Sequence, residues 1–301
     1  FKQLALKNDI SEKTIDTVMS NVRFLPKVIE YDRYQPEFYE DTKTYISKRT
    51  TKKKVIKGLN FFKKNSILIN QIEKKYNIEK ELLLSLMGIE TNYGSYLGKM
   101  DILSSLATLS FDKRRSNFFT NELLILLSLI DTNQIDYKTL YGSWAGAFGF
   151  FQFMPSTIKN HAIDFNNDDY INLKNIEDAY ASAGNYLNKM GWSENSHCFY
   201  KVDLDEKISN KYLNASAKKL VNKKRLKYFK EYIMNYDDIS FLDQNLKVAI
   251  ITPDKDIIPD AETLSPAYIV FENYEIILKW NRSLRFALAV CTLKDKIKNE
   301  L

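Results

Sequence analysis

The chain has 301 residues, 44 Lys and Arg against 38 Asp and Glu, a net charge of +6, and 45% apolar and 27% charged side chains. Such proportions belong to a globular protein of about two domains and exclude wholesale disorder. Only 9 Gly and 6 Pro are present, too few turn formers for an all-β fold, and the longest apolar run, Leu123 to Ile130, falls well short of the ~18 residues of a membrane-crossing helix.

In chain order, apolar positions recur every three and four residues from Ser11 to about Met190, which predicts helices. Val55 to Tyr76 reads as one helix. The next begins near Ile78, with Asn77 as its N-cap and Glu79 and Glu81 in the first turn, where acids suit the helix dipole. Leu103–Leu109, Ser116–Asp131, Pro155–Asn160 and Ile176–Met190 follow. Beyond Gly191 the pattern changes: Val248–Ile251 and Tyr268–Phe271 are β-branched and strand-like, inside a small mixed insert over 196–272. A helical pattern returns from Asn281 and is expected to pack back on the first domain, residues 1–195. The two cysteines, Cys198 and Cys291, and two histidines, His161 and His197, lack zinc-ligand spacing; the cysteines are free to pair in an oxidising compartment, but spacing alone does not decide it. The sequence opens at Phe1 without the basic and apolar regions of an export signal, so such a signal is expected upstream.

Three stretches carry chemistry. In the first, Leu83, Leu86 and Met87 precede Glu90 by seven, four and three residues and share its helix face. An acid at the end of an apolar stripe either reaches water at a fraying terminus or is a desolvated carboxyl that favours its protonated form. The polar turn Thr91-Asn92-Tyr93-Gly94 would set it at a cleft lip, where an acid could protonate a leaving oxygen. In the second, Gly142 to Ser156 uses three of the nine glycines among interleaved aromatics, which fits either a wall for a flat ligand such as a sugar or close packing of the chain on itself. In the third, Asp164, Asn166 and Asp168 stand at loop positions 1, 3 and 5, with the Tyr170 carbonyl at 7 and Asp178 at 15, a hard-oxygen set suited to calcium. Asp169 stands where the standard loop has glycine, and Asn175 where it has a bidentate glutamate.

GIETNYG (88–94), LATLSFDKRRSNFF (106–119), GSWAGAFGFFQFMPST (142–157) and GNYLNKMGW (184–192) together resemble the membrane-bound lytic murein transglycosylase B family. YDRYQPEF (31–38) and WNRSLRFALAV (280–290) extend the likeness toward both ends. The resemblance implies a mainly α fold: a lysozyme-like helical core with an N-terminal helical region and a small β-containing insert. It further implies an enzyme that cleaves peptidoglycan glycan strands without water. Glu90 is then the catalytic acid and base. Gln152 and Tyr186 line the glycan groove, and Ser143 and Asn281 lie close to the reacting sugar. Arg114 and Arg115 meet acidic lactyl or peptide groups, and Tyr93, Phe119 and Phe148 are stacking walls. The family's lengthened calcium loop supports Asp164, Asn166, Asp168, Tyr170 and Asp178 as ligands of a structural Ca2+, with no cofactor for catalysis. Phe151 replaces a small residue common in the family and puts the groove width beside Gln152 in question.

A lysozyme-type hydrolase and a non-catalytic glycan-binding protein are the alternatives. Nucleic-acid binding is not expected: the runs Lys52-Lys53-Lys54 and Lys223-Lys224-Arg225 are not interleaved with aromatics and read as solvated faces. A periplasmic or envelope location, a monomer, and room for a membrane tether upstream of Phe1 complete the expectation.

Overall fold

Ser11, Asp41, Asp101 and Ser283 each accept a backbone N–H from the first turn of the helix that follows, at 3.3, 2.8, 2.6 and 3.2 Å. These caps satisfy donors that a helix leaves open at its start. The computed structural model describes all residues except 35–39, 256, 257 and 259–261, so residues 35–38 of the YDRYQPEF motif lie outside the described residues. The helices are α1 (Lys2–Leu6), α2 (Glu12–Met19), α3 (Pro26–Arg33), α4 (Thr42–Arg49), α5 (Lys52–Tyr76), α6 (Lys80–Thr91), α7 (Ile102–Phe111), α8 (Ser116–Asp131), α9 (Pro155–His161), α10 (Ile176–Met190), α11 (Glu272–Trp280) and α12 (Leu284–Lys298). The strands are β1 (Met100–Asp101), β2 (Tyr141–Gly142), β3 (Phe199–Val202), β4 (Leu213–Asn214), β5 (Lys224–Arg225), β6 (Lys247–Ile251) and β7 (Ala267–Val270). The fold is mainly α, as expected.

Two units divide the chain. The first comprises residues 1–35 and 64–189, and the second 36–63 and 190–301. In the first, α8 packs against α7, α2 and α9, and α3 lies on α7. Helix α6 is buried without interruption from Glu81 to Gly88. In the second, the sheet order is β3-β7-β6-β4, with β5 also paired to β6; β4 runs parallel to β6 and the other pairs are antiparallel. Val202, Leu226, Phe229, Val248, Ile250 and Ile269 are among the residues of its core.

Several expectations need amendment. The expected boundaries at 195 and 272 differ from this division. Helix α12 packs on α4 and α11 in the second unit, where buried Asp254 accepts hydrogen bonds from Thr42 and Arg285 and a Cys198–Cys291 disulfide joins the start of β3 to α12. Asn77 is not an N-cap: its φ of +55° turns the chain out of α5, and α6 starts after Glu79, without a side-chain cap. Asn281 ends α11, a helix the periodicity did not separate from the next one, instead of opening a helix. Helix α5 bends at Asn65, whose φ and ψ of −125° and 21° are non-helical.

Candidate active site

Glu90 sits in the last turn of α6, half-buried, two residues after the covered run Leu82–Gly88. The apolar stripe of Leu83, Leu86 and Met87 is therefore core, and Glu90 is where that helix reaches the edge of it. Asn92, Tyr93 and Gly94 follow with φ of +49°, +56° and +75°. A bulky residue in this left-handed region costs about 1–2 kcal/mol, so the turn persists only because its surroundings fix it. Thr91 does much of that: its hydroxyl donates to the Phe150 carbonyl at 2.9 Å and accepts the Gly94 N–H at 3.2 Å. The backbone on which Glu90 stands is thus tied to the 142–156 segment.

That segment is a tight hairpin. Phe148 and Phe153 exchange two backbone hydrogen bonds of 2.9 Å, enclosing Gly149 at φ +78° and Gln152 at φ +51°. The Gln152 amide donates to the carbonyls of Gly149 (2.8 Å) and Leu97 (3.4 Å), which fixes its side chain next to the loop that follows Glu90. Ser143 accepts the Ala147 N–H at 2.9 Å. A Cβ on Gly142 would meet the Ala147 carbonyl, one on Gly146 the Leu106 side chain and one on Gly149 the Leu173 backbone. The small residues therefore serve close packing of the chain on itself, the second of the two uses open from sequence.

Tyr186, on α10, packs between His161 and Phe153 at 4.8 and 6.0 Å between ring centres. Burial pushes its hydroxyl up to about 12, so it acts as a neutral donor or acceptor. Tyr180 is wholly buried, donates to the Met87 sulfur at 3.3 Å and carries the Phe151 ring edge-on at 5.1 Å. Phe151 thus fills core behind α6 instead of narrowing space beside Gln152.

The stacking walls are corrected by burial. Phe119 is 1% exposed and lies under the Arg115 guanidinium, while Phe148 is 2% exposed beneath Lys174. Neither offers a free face. Tyr93 is also buried, and desolvation raises its hydroxyl well beyond the usual range. The exposed ring of the FF pair is Phe118, at 47%; the helical phase of α8, which buries Phe119, Leu123, Leu126 and Leu127, was the signal for choosing it.

Arg114 and Arg115 both bind Asp32, a carboxylate almost without exposure. The Arg114 Nε donates to it at 2.7 Å, and Arg115 completes the triad. Burial alone would raise the Asp32 pKa, but the two guanidiniums outweigh it and hold the carboxyl below its ordinary range. Both arginine side chains keep substantial exposure, so the pair can still meet an outside carboxylate while anchored from behind. Asn281 lies in the second unit.

A further residue of the site carries no mark in the sequence. Glu122 of α8, 2% exposed, accepts the Ser156 N–H at 2.8 Å and the Ser156 hydroxyl at 2.7 Å. Met154 cannot cap α9, and Glu122 supplies the cap from another helix. Nothing local in the sequence marks a cap that arrives from 34 residues away.

The 164–178 loop is closed by its own carboxylates. Asp178, fully buried, accepts the N–H groups of Phe165 and Asn172 at 2.9 Å each, and Asp164 those of Asp168 (3.2 Å) and Asp169 (2.9 Å). Burial, with Asp164 nearby, raises the Asp178 pKa. The donor set is all oxygen and two carboxylates are close enough to repel, which suits a hard cation. Asp168 is turned toward Asn166 and the Tyr170 N–H, and no group of three acidic, His or Cys side chains gathers as a metal site among the described residues. Asp169 takes the glycine-like φ of +69° despite its side chain.

A family model described as "Transglycosylase SLT domain" matches residues 1–295. The chain belongs to this family. Membrane-bound lytic murein transglycosylase B of Escherichia coli (strain K12) is 39% identical to this transglycosylase SLT domain over 149 residues, 49% of this chain and 41% of that protein, so the match spans under half the relative's length. SltB3 of Pseudomonas aeruginosa, solved in complex with NAG-NAM-pentapeptide, superposes with a TM-score of 0.82 at 27% identity, covering 98% of this chain and 77% of that one. The Escherichia coli lytic transglycosylase Slt35, solved in complex with calcium, gives 0.80 at 25% identity, covering 99% and 91%.

Proposed function

We propose that this chain is a peptidoglycan lytic transglycosylase that cleaves the MurNAc-β-1,4-GlcNAc bond and leaves a 1,6-anhydroMurNAc end. The observation that carries the proposal is Glu90: one half-buried carboxyl at the end of a buried helix, on a turn braced through Thr91 to the segment that holds Gln152. The family match and the muropeptide bound to SltB3 support the substrate class.

In this mechanism Glu90 gives its proton to the glycosidic oxygen as the C1–O bond breaks, with the N-acetyl group assisting. The Glu90 carboxylate then takes the proton of the muramyl C6 hydroxyl while O6 bonds to C1. The proton returns to Glu90 and no water is consumed. General acid–base help of this kind is typically worth ~10²–10⁴-fold. Gln152 and Tyr186 orient the sugar, Phe118 offers a stacking ring, Ser143 acts near the reacting residue, and Arg114 and Arg115 meet the acidic substituents. A calcium ion held by Asp164, Asn166, Asp168, the Tyr170 carbonyl and Asp178 would brace the loop, with no part in bond cleavage; the calcium-bound relative supports this. The protein acts as a monomer in the envelope. The Cys198–Cys291 disulfide supports an oxidising compartment, and no helix among the described residues is long and apolar enough to cross a membrane.

Mass spectrometry of muropeptides released from purified sacculi tests the reaction type. Anhydro ends, one water lighter than reducing ends, are expected. Reducing ends would identify a lysozyme-type hydrolase, and binding without release a glycan-binding protein.

A further inference from the structure

From Lys207 to Lys230 the chain carries nine cations and no acid, so the remainder of a molecule of net charge +6 is net −3. The segment spans β4 and β5 of the second unit. Leu220, Leu226 and Phe229 are buried and anchor it, while Lys218, Lys219, Lys224, Arg225 and Lys227 around them are exposed. Lys207 lies 3.9 Å from Asp205 and Lys223 bonds Glu275 at 2.5 Å, but no ion pair engages those five cations among the described residues.

Two further observations distinguish this face from an ordinary solvated one. Arg225 is cross-strand partner to Lys247, an exposed like-charged pair. Like charges directly opposite destabilise a sheet, so the fold carries a cost here that an external anion would relieve. The cations also surround a tyrosine platform. The Tyr212 and Tyr228 hydroxyls are 2.6 Å apart, Lys211 stands 5.1 Å over the Tyr212 ring, and Lys224 stands 5.5 Å over Tyr228. Tyr228 and Val221 are 43% and 44% exposed.

The chemistry of this face favours one occupant. Eight of the nine cations are lysines, mobile point charges that suit a diffuse negative surface; recognition of single carboxylates favours the planar arginine fork. Exposed tyrosine and valine among them add the part-apolar, part-polar contact that settles at a lipid headgroup layer. We propose that this lysine and tyrosine face of the second unit docks on an anionic phospholipid bilayer. The docking surface stands whether or not the first unit cleaves glycans.

Co-sedimentation of the 301-residue chain with phosphatidylcholine vesicles, with and without phosphatidylglycerol, tests it. Binding is expected only with phosphatidylglycerol and should fall steeply with added salt. A lysine near such a surface is worth about five-fold in affinity. The quadruple variant Lys218→Gln/Lys219→Gln/Lys224→Gln/Lys227→Gln should therefore bind several hundred-fold more weakly, with circular dichroism and Tm like the wild type. Equal binding to both vesicle types, no binding to either, or a folded variant that binds like the wild type would overturn the proposal. So would a variant that loses affinity for isolated sacculi while vesicle binding is unchanged, since the occupant would then be the wall polyanion. The lipid and salt dependence of the wild type decides the matter even if the variant fails to fold.

Discussion

Replacing Glu122 by alanine should loosen the catalytic segment without touching the reacting groups. Both Glu122 oxygens are used, at 2.8 and 2.7 Å to Ser156, and the side chain is 2% exposed. Two hydrogen bonds to a charged group disappear, a buried space opens where the carboxylate stood, and the first turn of α9 loses its cap. With ~1.5–3 kcal/mol for a hydrogen bond to a charged group and ~1 kcal/mol for a cap, and allowing for their overlap, the loss comes to about 2–4 kcal/mol. For a unit of this size each kcal/mol shifts Tm by roughly 2–4 °C, so a drop of about 5–15 °C is expected. Because Gln152 and Phe153 lie just before the helix that Ser156 starts, kcat on soluble muropeptides should fall as well. Glu122→Gln keeps an acceptor for the Ser156 N–H and a partner for its hydroxyl, and should recover most of both. Thermal unfolding by circular dichroism and initial rates read the two effects. A Tm for Glu122→Ala within ~1 °C of the wild type, or equal damage from Gln and Ala, would refute the capping role.

Asp32→Asn should destabilise the first unit by about 1–3 kcal/mol near neutrality. Because the folded-state pKa of Asp32 is lowered, its contribution is complete above the unfolded value of about 4 and is lost as pH falls through the folded value; denaturant titrations across pH should show the two proteins converging only in acid. Gly149→Ala, at φ +78° with the Leu173 backbone where a Cβ would go, should cost several kcal/mol and abolish muropeptide cleavage; a Tm unchanged from the wild type would contradict that packing. Calcium should raise Tm relative to a chelator, by about 2.7 kcal/mol of stability when free calcium is a hundredfold above its Kd. Asp178→Asn should remove the response, and a wild-type Tm indifferent to calcium would exclude the loop as a cation site.

Much of the fold was legible because helical periodicity survives in single segments. Ser116–Asp131 and Ile176–Met190 begin and end where the apolar pattern does. Asn77 reads as a cap in sequence because the same residue type caps a helix start and takes the left-handed turn after a helix end, and only the backbone tells these apart. Grouping residues 36–63 with the C-terminal half depends on contacts such as Thr42 with Asp254, 212 positions apart, and nothing in a local window encodes them. At the site, Glu90 stood out as an acid ending an apolar stripe. The motif points to Phe119 instead of Phe118 because it gives residue types without helical phase, and one step along a helix turns a side chain by about 100°, enough to move it from surface to core. Glu122 left no mark, since a buried acid that caps another helix looks like any exposed acid in sequence.

The central claim is that one carboxyl serves as acid and then base. Purified sacculi digested with the wild type and with Glu90→Gln, followed by mass analysis of the soluble products, test it most directly. The wild type should release anhydro-ended muropeptides, while Glu90→Gln, with an unchanged Tm, should release none. Anhydro products from a folded Glu90→Gln protein at a rate near that of the wild type would contradict the account.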